Sequence, residues 1–154
     1  MVGLAGLGYQ WSRPPAAPDV TYRLIDGARV RQQELLGKVV LVNFWASSCV
    51  NCIKEMPALV QTHERFAPRG YETMAVAMAY DRPDFVLHFA STRQLPFKVA
   101  LDLQGEVAQA FGRVSVTPTS VLIGADGRIV QRWVGEPESW ASLHNLIESK
   151  LLRT

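Results

Sequence analysis

Two hydrophobic periods alternate along this chain. Residues 38–45 (KVVLVNFW) form a near-continuous apolar run rich in valine, the pattern of a central strand buried on both faces. Residues 49–66 then place Ile53, Met56, Leu59, Val60 and Phe66 at helical spacing. A helix is expected there, kinked at Pro57 and stopped by Pro68, Arg69 and Gly70. Residues 72–79 read as a second buried strand. Residues 83–93 read as a helix, with Asp81 as N-cap and Pro83 in the first turn. A short strand at 97–101 and a short helix at 106–111 follow. Strands at 120–123 and 128–134 flank the hairpin signal Gly124-Ala125-Asp126-Gly127. A closing helix at 139–152 carries Leu143, Leu146, Ile147 and Leu151 on one face. Before all of these, residues 20–25 read as a strand ended by Asp26-Gly27, and residues 29–36 as a turn or short helical piece. The order β, β, α, β, α, β, α, β, β, α predicts an α/β fold: a mixed sheet with helices on both faces.

The 154 residues fit one domain. With 48% hydrophobic residues, a chain of this length buries a core without a disulfide or metal staple. The first 19 residues look different. Residues 2–9 are apolar but far shorter than a membrane span, and they lack the basic start of a leader. They read as the end of a leader or anchor, or as an appended segment. Residues 12–19 (SRPPAAPD) read as an extended linker. The expected division is therefore a tether over 1–19 and a folded domain over 20–154. Sixteen Lys and Arg against fourteen Asp and Glu leave a net charge of +2 with no basic run, which argues against nucleic-acid binding.

The two cysteines, Cys49 and Cys52, carry the chemistry. A bridge across so short a loop barely restricts the unfolded chain, so a structural staple is a poor explanation. The C-x-x-C motif instead sits between a buried strand and the start of a helix. The positive end of a helix dipole favours a thiolate at Cys49, the nucleophilic form. Cys52, one turn further on, is placed to resolve a mixed disulfide. A zinc site would need two more ligands at suitable spacing, and His63, His88 and His144 do not supply them. Inert buried thiols fit the strand–motif–helix context less well.

Neighbouring residues allow two readings each. Glu55 lies three positions after Cys52 on the same helical face and is either a proton carrier for that thiol or a solvated surface charge. Asn43, polar inside an apolar strand, is either a satisfied core amide or a group beneath the motif. Trp45 either shields the thiols or packs in the core. Thr117-Pro118-Thr119 precedes a strand, and Pro118 can adopt a cis bond, although most X–Pro bonds are trans.

The stretches VVLVNFWASSCVNCIKEMP (39–57), LPFKVALDLQGEVAQAFG (95–112) and VTPTSVLIGADGRIV (116–130) resemble the thioredoxin superfamily, and within it the TlpA/ResA-like thiol–disulfide oxidoreductases. The resemblance implies a thioredoxin-like fold with the TlpA-type central insertion and an N-terminal extension. It implies Cys49 as nucleophile, Cys52 as resolver, and Glu55 in thiol proton transfer. It makes Pro118 a cis-proline facing the disulfide, and Thr117 a substrate contact. Trp45, Val50 and Asn51 join them on the substrate side, with Asn43 and Pro57 supporting the site from behind. Asn43 stands where thioredoxin has a buried Asp. Two departures are Ser48, where a Trp usually precedes the first cysteine, and Val50-Asn51, where proline is usual.

The expected function is disulfide exchange with partner proteins through the Cys49–Cys52 pair, without a cofactor. The resemblance further implies an extracytoplasmic, periplasmic reductant for cytochrome c maturation or copper-site assembly. It would act as a monomer, tethered to a membrane by an N-terminal segment and recharged by a membrane or thioredoxin-like electron donor. Two alternatives are a thiol metal-binding module of copper-chaperone type, since copper(I) favours thiolates, and a peroxiredoxin. The latter wants proline and a hydroxyl residue where Val42 and Ala46 stand.

Overall fold

The computed structural model describes residues 13–152. The elements are β1 (Thr21–Arg23), β2 (Arg29–Arg31), a 3-10 turn (Gln32–Leu35), β3 (Val39–Trp45), α1 (Val50–Phe66), a second 3-10 turn (Ala67–Arg69), β4 (Tyr71–Ala77), α2 (Pro83–Thr92), β5 (Lys98–Leu101), α3 (Glu106–Ala110), β6 (Thr119–Ile123), β7 (Ile129–Val134) and α4 (Trp140–Leu151). Five strands form one sheet in the order β5-β4-β3-β6-β7. β3, β4 and β5 are parallel, while β6 and β7 run antiparallel to their neighbours. The α/β architecture with a mixed sheet is as expected, and the strand order places β3, the most apolar run, at the centre.

β3 is buried at all seven positions because it is covered on both faces. Val39, Leu41 and Trp45 point to one side, where α1, α2 and α4 pack through Met56, Leu59, Phe66, Val86, Leu143 and Ile147. Val40, Val42 and Phe44 point to the other, against Tyr22, Val107 and Phe111. Side chains alternate along a strand, so Asn43 falls on the α1 side. That parity decides what Asn43 can meet.

Two sequence expectations are corrected. Residues 29–36 are not simply a turn or helical piece: Arg29–Arg31 pairs antiparallel with Thr21–Arg23 as a small separate hairpin. The Asp26-Gly27 turn makes this possible, because Gly27 takes φ +90° and Asp26 Oδ1 accepts the Ala28 N–H at 2.9 Å. The hairpin docks on the edge of β5 through the Ile25 N–H to the Val99 carbonyl, 3.0 Å. Secondly, Asp81 does not cap α2. The N-cap is Arg82, and its side chain makes no capping bond; Asp81 is engaged elsewhere, as described below.

Part of the stretch read as linker touches the domain. Ala16 pairs with Arg128, the Ala17 N–H reaches Gly127 O at 2.8 Å, and the Ile129 N–H reaches Pro15 O at 2.8 Å. The apolar segment at 2–9 lies outside the described residues.

At the end of β5, the buried Asp102 carboxylate accepts the N–H groups of Val107 (3.0 Å) and Ala108 (2.9 Å), which starts α3. Asp102→Ala leaves both donors buried without an acceptor. Urea unfolding should show a loss of about 1–3 kcal/mol, and a loss below about 0.5 kcal/mol would remove this role.

Candidate active site

The polypeptide leaves β3 at Trp45 and enters α1 at Val50, so the C-x-x-C motif occupies the junction. Cys49 is the N-cap of α1, with extended backbone. Its Sγ accepts the Cys52 N–H at 3.2 Å, one of the donors that a helix leaves unpaired in its first turn. Cys49 and Cys52 form a disulfide with Cα atoms 5.2 Å apart. Cys52 is fully buried, whereas Cys49 is half-buried and Val50, between them, is 79% exposed. An incoming sulfur can therefore reach Cys49 and not Cys52.

The loop before β6 closes over the pair. The Thr117–Pro118 bond is cis, as the resemblance implied, and the Thr117 carbonyl oxygen lies 3.6 Å from Cys49 Sγ. Thr119 Oγ1 donates to Val116 O at 2.6 Å, and the Gly135 N–H donates to Pro118 O at 2.7 Å, which fastens the loop to the end of β7. Pro118 itself is buried.

Beneath the disulfide lies a polar cluster inside the core. Glu55 is 1% exposed. It shares the buried stripe of α1 with Cys52, Met56, Leu59, Thr62 and Phe66, so it is one turn below Cys52 on the same face. Asn43 Nδ2 donates to Glu55 Oε1 at 2.8 Å and to Ser120 Oγ at 2.9 Å. Ser120 is the register partner of Asn43 across β3 and β6. Glu55 Oε2 and Asn43 Oδ1 are buried without a hydrogen-bond partner among the described residues. Among the described residues, no cation is paired with the carboxyl. Burial therefore dominates and pushes the Glu55 pKa from 4.5 up to about 7; the Asn43 hydrogen bond opposes this, and the charge of Glu136 adds to it. Near neutral pH such a group both accepts and donates a proton.

The remaining sequence candidates divide. Asn51 and Val50 face solvent on the first turn of α1. Trp45 is wholly buried and packs on Phe89 with ring centroids 5.3 Å apart, which puts it in the core under the motif and not on a substrate-facing surface. Pro57 is exposed within α1, and the helix runs on through it. His63 Nδ1 and His144 Nε2 lie beside threonine hydroxyls, at 3.2 Å from Thr73 and 2.8 Å from Thr62. Among the described residues, no three His, Cys, Asp or Glu side chains converge as a metal site. Ser120 was missed, although a serine inside the apolar run TSVLI, on the strand next to Asn43, was a usable signal.

The profile of the Redoxin family matches residues 14–147. The chain belongs to the Redoxin family. A ResA thiol–disulfide oxidoreductase of Bacillus thuringiensis is 33% identical over 121 residues, 78% of this chain and 68% of that protein. ResA of Bacillus subtilis is 32% identical over 115 residues, covering 75% and 63% respectively. Among solved structures, a thiol:disulfide interchange protein of the thioredoxin family from Chlorobium tepidum superposes with a TM-score of 0.81 at 29% identity, covering 91% of this chain and 98% of that one. A thioredoxin-like protein from Neisseria meningitidis gives 0.83 at 36% identity, covering 92% and 93%. This Redoxin is a TlpA/ResA-like member of the thioredoxin superfamily and a thiol–disulfide oxidoreductase with a Cys49–Cys52 pair.

The raised Glu55 pKa has a consequence for folding. The folded Redoxin holds this proton more tightly than the unfolded chain, so stability falls as pH rises from about 4.5 through about 7. The displacement corresponds to about 3 kcal/mol lost by pH 8. Glu55→Gln removes that loss. Denaturation of the oxidised protein at pH 5 and pH 8 should show the variant gaining on the parent at the higher pH; equal pH dependence of the two would contradict the buried acid.

Proposed function

We propose that this chain reduces disulfides in partner proteins outside the cytoplasm, of the kind handled in cytochrome c maturation or copper-site assembly. The observation that carries the reading is the buried Glu55 carboxyl one turn from the buried Cys52. Reduction begins with the Cys49 thiolate attacking one sulfur of the partner's disulfide. A mixed disulfide forms and the partner's other sulfur leaves. Cys52, shielded from water, then passes its proton to Glu55, and its thiolate attacks Cys49 Sγ. The partner departs with both sulfurs reduced, and the Cys49–Cys52 disulfide is left behind. A membrane or thioredoxin-like donor returns two electrons to close the cycle.

A protein partner fits the surroundings of the pair. Val50, Tyr80, Val116 and Val134 are 79%, 63%, 51% and 66% exposed. All four lie on the loops and ends of elements around the motif and the Thr117–Pro118 loop, an apolar rim suited to a polypeptide. Asn51 and the Thr117 carbonyl offer polar contacts beside it. A monomer tethered through its N-terminal side also fits. The chain enters against Gly127, in the hairpin at the end of β6 and β7 away from Thr119 and the disulfide, which leaves the site free. No helix of the described residues is long and apolar enough to cross a membrane.

Cys49→Ser should abolish reduction of an insulin-type substrate. Cys52→Ser should accumulate mixed disulfides with partners, visible on non-reducing gels, and their absence would refute two-step exchange. The potential of the pair against glutathione should fall near that of thioredoxin, about −270 mV; a value near −120 mV would make the protein an oxidant.

A further inference from the structure

Asp81 lies in the turn between β4 and α2, and neither the family assignment nor the exchange mechanism gives it a part. Its side chain is half-buried. Both of its oxygens are committed to one residue of the segment ahead of Cys49. Oδ2 accepts the Ser47 N–H and Oδ1 accepts the Ser47 hydroxyl, each at 2.6 Å. The turn that presents Asp81 is itself fixed, since the Met78 N–H reaches Trp45 O at 3.0 Å and the Asp81 N–H reaches Met78 O at 3.0 Å.

Residues 46–48 are the whole connection between β3 and the Cys49 cap. Within them, the Cys49 N–H turns back to Ala46 O at 3.1 Å. The Ser47 N–H has no such internal acceptor and is taken by Asp81. The segment is therefore held from below by its own turn and from the side by a carboxylate. Short two-point bonds to a charged acceptor are the stronger kind of hydrogen bond. The same contact holds the Asp81 carboxylate against Ser47, two residues before the cysteine that attacks. A fixed like charge disfavours a thiolate. The helix N-terminus under Cys49 acts in the other direction.

We propose that Asp81 is a positioning residue that clamps the segment before Cys49 and whose charge, set against the helix dipole, biases the pair toward the disulfide and so makes the reduced protein a stronger reductant. This rests on Cys49 being the attacking thiol. The equilibrium that reports it is protein disulfide plus two glutathione thiols giving protein dithiol plus glutathione disulfide. A less stable Cys49 thiolate shifts it to the left. Charged groups toward this end include Lys54 and Glu55 on α1, Glu136 after β7, and Arg82 beside Asp81, whose guanidinium is paired with Asp84 at 2.7 Å; all are unchanged in the variants below.

Asp81→Asn keeps a side chain able to bond Ser47 and removes the charge. Asp81→Ala removes both. In each variant the Cys49 thiolate, followed by its ultraviolet absorbance, should form at lower pH than in the parent. The glutathione equilibrium should move about three- to tenfold toward the dithiol. Asp81→Ala should in addition speed hydrogen exchange of the Ser47 amide at least tenfold in the oxidised protein, while Asp81→Asn changes it less. Thiolate titration and glutathione equilibrium both within twofold of the parent in both variants would overturn the electrostatic bias. An unchanged Ser47 exchange rate in Asp81→Ala would overturn the clamp. Alkylation of the reduced parent separates this from the mechanism it rests on: if Cys52 reacts before Cys49, the exchange mechanism fails whatever Asp81 does.

Discussion

A carboxyl group buried without a cation is the constraint around which this site is arranged. Glu55 has 1% of its surface exposed and one hydrogen-bond donor, Asn43. A single amide donor does not replace the water that an ionised carboxylate loses, so the neutral acid is favoured well above its ordinary range. That cost falls one turn below the buried thiol of the redox pair. Its neighbours on the same stripe of α1, Met56 and Leu59, are apolar. A carboxylate in that register is a liability for packing and an asset for moving a proton where water does not reach.

The sheet supplies the rest of the geometry. β3 delivers Asn43 to the α1 face by strand parity and ends at the motif. β6, paired to β3 with Ser120 opposite Asn43, begins at the cis Thr117–Pro118 bond. One register therefore fixes both the support beneath Glu55 and the loop above Cys49. The helix N-terminus lies between them. The difference in exposure between Cys49 and Cys52 follows from the N-cap position of the first and the inward-facing turn of the second, and it divides their roles before any chemistry occurs.

Most of this was legible in the sequence because its signals are local. The run 38–45 announced a strand buried on both faces, and the spacing of Met56, Leu59 and Phe66 announced α1. The C-x-x-C position between them gave the thiols their context. The fate of Glu55 was readable in principle, since it falls on the same stripe as those apolar residues, but a charged residue on a helix is more often solvated. What was not legible depends on side chains that meet across the fold. Asp81 has the composition and position of a helix cap, and only the return of β4 beside β3 brings it to Ser47 instead. Trp45 reads equally as a shield for the thiols or as a core residue, and its packing on Phe89 decides for the core. The strand at Arg29–Arg31 is three residues long, too short for a periodic signal, and exists because its partner Thr21–Arg23 is held against β5.

The central claim is that Glu55 is a proton carrier and not a permanently ionised carboxylate. Its side-chain carboxyl resonance can be followed by carbon-detected NMR across pH in the intact oxidised protein, with Glu55→Gln identifying the signal. A midpoint near 7 is the predicted result. A midpoint at the ordinary value, about 4.5, would mean the carboxylate is solvated and would contradict the account.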